Sequence, residues 1–233
     1  MPSRPVRAAA PRLSRERRVS EILAVAREEF SAKGYDETTV AGIAARLGVV
    51  EGTVFKYFAT KRELLLKVIE HWYDEIIGGI ARDLSGVADP RARLRIVIRD
   101  HLRVFRDYPL LCRLMFREIR SEEDYRSSAL HEKNRRYTRL LTGIVAEGAA
   151  AGAFRAGTSP TLTRDLVFGA MEHLTWNYVN GRGRLDIERI ADTLTAMVCD
   201  GIAVPAPAAA KKSAAKNTAK KTTARKTATG ARA

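Results

Sequence analysis

Two short helical stretches, separated by a single glycine and preceded by a longer one, constrain this 233-residue chain more than any other feature. From Arg15 to Lys33 the apolar residues Val19, Ile22, Leu23, Ala26 and Phe30 recur at intervals of three and four, which marks one face of a helix. Gly34 follows as a stop, able to take the left-handed conformation that ends a helix. Thr39 is placed to cap a second helix, Val40 to Leu47, with Val40, Ile43, Ala44 and Leu47 on one side. Gly48 gives a sharp turn, Val49 plugs the core, and a third helix is predicted from about Glu51 to Phe58. Helix, glycine turn, helix is a unit whose second member can enter the major groove of DNA.

The rest of the chain continues in the same register. Helices are predicted over about 61–84, 91–107, 109–120, 122–152, 161–179 and 186–204, with breaks at Gly86 to Pro90, Pro109, Gly152 to Pro160 and Gly181-Arg182-Gly183. With 7% aromatic residues the composition does not favour a β-rich fold. No apolar run reaches the length that spans a bilayer, and no secretory leader follows the basic N-terminus, so a cytoplasmic location is expected.

The formal charge of +14 is unevenly placed. Residues 1–18 carry a net +5 and residues 205–233 carry eight Lys or Arg and no acid, which leaves the body at +1. The C-terminal arm holds no aliphatic residue larger than Ala, so it cannot bury enough surface to offset chain entropy and is expected to be disordered alone. Scattered cations on such an arm favour a polyanion through counterion release, and its composition resembles the lysine- and alanine-rich tails of linker histones and some nucleoid proteins. A solubilising tail with no partner has the same composition. The domains implied are a basic arm (1–14), a helix-turn-helix unit (15–65), a larger helical domain (66–204) and a basic tail (205–233).

Catalysis and metal binding find little support. His71, His101, His131 and His173 are isolated from one another, and Cys112 and Cys199 form no ligand spacing with them. No GxSxG or comparable nucleophile setting occurs. No catalytic residue, metal or cofactor is expected.

The run from Gly34-Tyr35 through Thr39-Val40, Ile43-Ala44, Gly48-Val49, Gly52-Thr53-Val54-Phe55, Phe58 and Lys61 to Leu64-Leu65 resembles the N-terminal domain of the TetR family of repressors. The resemblance implies an all-α, nine-helix architecture: a three-helix DNA-binding domain followed by a ligand-binding and dimerisation domain. It assigns phosphate or base contact to Thr39, Glu51, Gly52, Thr53, Phe55, Lys56, Tyr57 and Lys61. Lys56 would reach guanine and Tyr57 a phosphate, and Lys61 would clamp the backbone. Phe55 stands where the family usually has Tyr, which leaves apolar contact, such as to a thymine methyl. Val50 stands where a small polar residue is common, and Ala41 and Gly42 offer nothing polar to DNA. Residues 19–64 contain six basic and seven acidic residues, so the N-terminal arginines are expected to add phosphate contacts.

In the larger domain the resemblance is architectural. The last two helices carry Leu162, Leu166, Met171, Leu174, Ile187, Leu194 and Met197 over more than one face, more than a monomer's core needs, and the resemblance implies that they pair with a second copy to give a homodimer on a palindromic operator in double-stranded DNA. A small-molecule pocket is placed at His101, Phe105, Tyr108, Cys112, Met115, Phe116, Tyr137, Leu141, His173, Trp176 and Asn177, although plain core accounts for the same pattern. The segment from Tyr108 to Glu118, with Phe168 to Leu174 and Trp176, is similar to family members that regulate fatty-acid metabolism, which implies an apolar effector such as a fatty acyl-CoA. Arg113, Arg117 and Arg120 would face its phosphates or pair with nearby acids at the surface. The function implied is a repressor released from its operator by that ligand. The alternatives are a nucleoid protein that coats DNA through its basic arms, and a ligand-binding module whose DNA function has decayed.

Overall fold

The computed structural model describes residues 14–121 and 123–202. The basic arm before Ser14, the tail after Ile202 and the end assigned to the last helix at Val204 lie outside the described residues.

Nine α-helices follow one another among the described residues: α1 (Arg15–Glu37), α2 (Val40–Arg46), α3 (Glu51–Phe55), α4 (Lys61–Leu84), α5 (Pro90–Asp107), α6 (Pro109–Leu114), α7 (Ala129–Ala150), α8 (Pro160–Val179) and α9 (Ile187–Ile202). Their starts are written locally. Ser14, Thr39, Thr60, Asp89, Ser128 and Ser159 each accept a hydrogen bond from a backbone N–H of the first turn of the helix they precede. Gly34, at φ 80°, interrupts α1 where the sequence places its stop, and the Thr38 hydroxyl donates to the carbonyl it leaves free.

The three-helix unit closes on Ile22, Ala26, Phe30, Ile43, Ala44 and Val54, all essentially inaccessible, and α4 joins it through Leu64 and Leu65. α1 packs on both α4 and α6, so the small domain is seated on the large one. In the large domain α5 lies at the centre, against α4, α7, α8 and α9. It buries Leu94, Val97, Ile98, Leu102 and Phe105.

Three boundaries differ most from the sequence reading. α3 ends at Phe55, not Phe58, because Phe58 turns inward to fill the core. The helix expected over 109–120 stops at Leu114, and the one expected over 122–152 starts late. A π-helical turn (Met115–Ile119) and a 3₁₀ turn (Glu123–Ser127) come first, and α7 starts only at Ala129, where Ser128 caps it.

Candidate nucleic-acid interface and ligand cavity

The α2–α3 unit is presented outward. The Thr39 hydroxyl accepts from the Gly42 N–H at 3.0 Å, and its own hydrogen remains able to donate to a phosphate. On α3, Val54 is buried while Glu51, Gly52, Phe55 and Lys56 are exposed, so they share the outer face, with Thr53 and Tyr57 half-buried at its edges. Val50 starts α3 without any side-chain cap.

Most cations of this domain are engaged within the protein. Arg27 pairs with Glu75 and Lys33 with Glu29. Arg46 pairs with both Glu28 and Glu29, and Arg62 bonds the Glu118 carbonyl. Glu29 is 6% exposed, and its hydrogen bond from Lys33, with that from Arg46, holds its carboxyl below the usual range. Lys61 sits 4.3 Å from the Tyr35 ring centre and bonds the Asp36 carbonyl at 3.3 Å, so any clamp it forms on DNA starts from that tethered position. Among the described residues of 19–64, Lys56 is the one basic side chain with no such partner. Arg15 adds a second charge nearby, its guanidinium 5.9 Å from the Tyr57 ring centre.

The second site is a cavity of about 400 Å³ inside the large domain. Five stretches wall it: Trp72, Tyr73 and Ile76 from α4; His101, Val104 and Phe105 from α5; Cys112, Met115, Phe116 and Arg120 from α6 and the turn after it; His131, Asn134, Arg135, Tyr137 and Thr138 from α7; and Arg164, Asp165, Phe168, Gly169 and Glu172 from α8. Its interior is an aromatic box. His101 stands edge-on to Phe105 and Phe168 at 4.9 and 4.8 Å, and Tyr73 edge-on to Tyr137 at 6.0 Å.

The polar groups in the box stay neutral. His101 Nδ1 and the Tyr137 hydroxyl are hydrogen-bonded at 2.5 Å. Burial, aided by the nearby Arg120 charge, lowers the imidazole to about 3. Burial pushes the Tyr73 and Tyr137 hydroxyls and the Cys112 thiol upward, so none ionises near neutrality. Charge is confined to the α6, α7 and α8 walls. Arg120 lies over Phe116 at 5.1 Å and pairs with Glu172 at 3.1 Å.

Of the residues assigned to a pocket from the sequence, the structure brings together His101, Phe105, Cys112, Met115, Phe116 and Tyr137. Tyr108 lies behind the wall, edge-on to Trp72 at 5.6 Å, and Leu141 is fully buried core. His173, Trp176 and Asn177 are exposed and do not line the cavity. His173 and Asn177 follow Leu166 at seven and eleven residues, which is the outer row of α8, and Trp176 lies a turn beyond Glu172. Arg120, read from the sequence chiefly as a surface residue, is part of the wall. Apart from Tyr137, the α7 lining was missed, because His131, Asn134, Arg135 and Thr138, at i, i+3, i+4 and i+7, form a polar stripe like that of a solvent face. Their spacing is a signal of one face; only packing shows that this face looks onto a void.

A third surface lies on α8 and α9, where Leu162, Leu166, Leu174, Trp176 and Met197 are 49–70% exposed. Isolated exposed leucines are ordinary, whereas several large apolar side chains exposed on two successive helices are more than a folded monomer needs to show.

Comparison with known proteins agrees with this geometry. Residues 22–68 match the family described as bacterial regulatory proteins, tetR family, and residues 87–202 match a tetracyclin repressor-like C-terminal domain. The chain is 24% identical to the fatty acid metabolism regulator protein of Bacillus subtilis, covering 78% of this chain and 94% of that one. It is 22% identical to the transcriptional repressor KstR2 of Rhodococcus jostii, covering 81% and 92%. The crystal structure of the B. subtilis regulator FadR in complex with stearoyl-CoA superposes with a TM-score of 0.68 at 24% identity, over 78% of this chain and 98% of that one. No helix of the described residues is long and apolar enough to cross a membrane.

Proposed function

The chain belongs to the TetR family of bacterial DNA-binding transcriptional regulators, which are not enzymes, and from that premise we propose that it is a homodimeric repressor released from a palindromic operator when an apolar, acyl-CoA-like ligand fills the large-domain cavity. The observation that carries this reading is the shared wall. The turn Met115–Ile119 lines the cavity through Met115 and Phe116, and on its other side the Glu118 carbonyl accepts from Arg62 at the start of α4. A ligand that reshapes this wall acts on the element next to α3.

The cavity chemistry supports the ligand class. A neutral aromatic interior suits an acyl chain, and Arg120, Arg135 and Arg164 in the wall suit the phosphates of a head group. The B. subtilis regulator crystallised with stearoyl-CoA is a relative with the same fold. The apolar face of α8 and α9 supports a second copy, which would place two α3 helices about 34 Å, or a small multiple of that, apart on DNA. Thr39, Glu51, Gly52, Thr53, Phe55, Lys56, Tyr57 and Lys61 are proposed to carry the DNA contacts. Such a protein works in the cytoplasm, on the nucleoid.

The reading is tested by selecting bound fragments from sheared genomic DNA with the full chain at physiological salt, then adding stearoyl-CoA. The expected result is a common palindrome, released by the ligand, with specific affinity lost in Lys56→Ala and Tyr57→Ala. The basic arms favour the alternative of a DNA-coating protein. Sequence-indifferent binding that collapses steeply with salt would establish that alternative instead.

A further inference from the structure

Among the described residues seven large apolar side chains stand exposed, and they fall into two groups. Five lie on α8 and α9, on the face read above as the subunit interface. The other two, Val50 and Phe55, bracket α3. Val50 is 75% exposed, the highest value of the seven. It occupies the cap position of α3, yet it makes no capping bond, where Ser, Thr, Asn or Asp would make one. Nothing inside the protein accounts for an exposed valine there. Phe55, at 43% exposure, lacks the hydroxyl that a tyrosine would bring to a phosphate.

Gly52 lies between them on the same outer face. It has no positive φ, and a Cβ added there would meet nothing within 4 Å. A glycine inside a helix is unfavourable, and here neither backbone conformation nor packing requires it. Its one evident effect is to leave the middle of the face clear for something that approaches closely. The face therefore presents an apolar group at each end, an open gap, and the free ammonium of Lys56 beside Phe55.

In the major groove one apolar group distinguishes the bases, the 5-methyl of thymine. We propose that Val50 and Phe55 read thymine methyl groups, so that this protein selects its site by two T·A pairs, with the position reached by Lys56 next to the one read by Phe55. The proposal rests on α3 being the recognition helix, as in the reading above. Five residues of helix rise about 7.5 Å, so the two thymines lie within about two base-pair steps of each other.

Uracil tests this atom by atom, since it pairs as thymine does and lacks only the methyl. The common site recovered by the full chain is synthesised with uracil in place of each thymine in turn, and affinities are measured for the wild type, Val50→Ser and Phe55→Ala. Helicity and melting confirm that each variant is folded. The wild type is expected to lose about fourfold in affinity at each of two positions per half-site, the worth of one buried methyl. Val50→Ser should be indifferent to uracil at one of them and Phe55→Ala at the other. A common site whose affinity stays within about twofold whichever thymine is replaced overturns this inference alone. Methyl sensitivity that survives in both variants overturns the assignment to Val50 and Phe55. Failure to recover any common site overturns the recognition-helix reading and this inference with it.

Discussion

Acidification offers a direct test of how the cavity is built, because His101 is buried there as the neutral imidazole. In an unfolded chain histidine takes up its proton near pH 6.5, whereas in the folded chain burial, assisted by the Arg120 charge, holds His101 at about 3. Between these values the unfolded state binds the extra proton, so stability is full above pH 6.5 and falls as pH drops toward 3. At pH 5.0 the loss amounts to about 2 kcal/mol relative to neutral pH. His101→Phe removes the titrating group while keeping a ring beside Phe105 and Phe168. It also leaves the Tyr137 hydroxyl without its partner, a penalty that is the same at both pH values. Urea unfolding at pH 7.5 and 5.0, at one fixed protein concentration because a dimer's stability depends on it, gives the comparison. Glu29 and other carboxylates contribute equally to both proteins and cancel. The wild type should lose about 2 kcal/mol more than His101→Phe across that interval. Equal losses would mean that folded His101 accepts a proton near its ordinary value, and the neutral aromatic box described above would be refuted.

Other outcomes follow from particular contacts. Leu166→Asp and Met197→Asp, which charge the exposed face of α8 and α9, should give folded monomers by sedimentation that no longer hold an operator. Gly148→Ala should lower stability by about 1–3 kcal/mol in thermal melts, since the new Cβ would stand 2.4 Å from the Phe154 ring and the buried ring must move, which outweighs the helix preference for alanine. Glu172→Gln, which frees Arg120 from its ion pair, should tighten stearoyl-CoA binding about twofold to fivefold by calorimetry; unchanged affinity would remove Arg120 from the ligand site.

Helix starts were legible because they rest on short-range hydrogen bonds. A Ser, Thr or Asp before a helix bonds its first turn whatever the remainder of the chain does, so Thr39 was read directly as a cap, and the starts after Thr60 and Asp89 rest on the same bond. The stretch from Met115 to Ser128 was not legible, because its register depends on distant partners. Met115 and Ile119 are buried while Arg120 reaches across to α8, and a π turn between them satisfies both demands. The cavity was half legible for a related reason. Aromatic residues on α5 and in the turn after α6 point to an interior, but a polar stripe on α7 has the same one-dimensional pattern whether it faces water or a void. On α8 the sequence assigned lining to His173, Trp176 and Asn177, and these prove to face outward.

The size of the cavity and the energy a switch requires can be set against each other. Moving a two-state equilibrium from 1:99 to 99:1 takes about 5.5 kcal/mol of difference in ligand affinity between the states. At about 0.8 kcal/mol for each buried methylene, roughly seven methylenes that are fully buried in only one state would suffice. A cavity of about 400 Å³ lies within the range that accommodates drug-sized ligands, and its buried His101 and Tyr137 are paired and neutral, so an acyl chain would not strand a charge there. The difference must arise where the wall can move. α4 carries Trp72, Tyr73 and Ile76 into the cavity about 16–22 Å along one continuous helix from Lys61, next to α3. A second wall, from Met115 to Arg120, accepts a hydrogen bond from Arg62 on that same helix through the Glu118 carbonyl. Any chain that wedges these two walls apart would turn the helix on which the DNA-binding domain is seated. On this reasoning the cavity and the reading face are coupled through α4 itself, and a ligand too short to touch both walls would bind without releasing DNA.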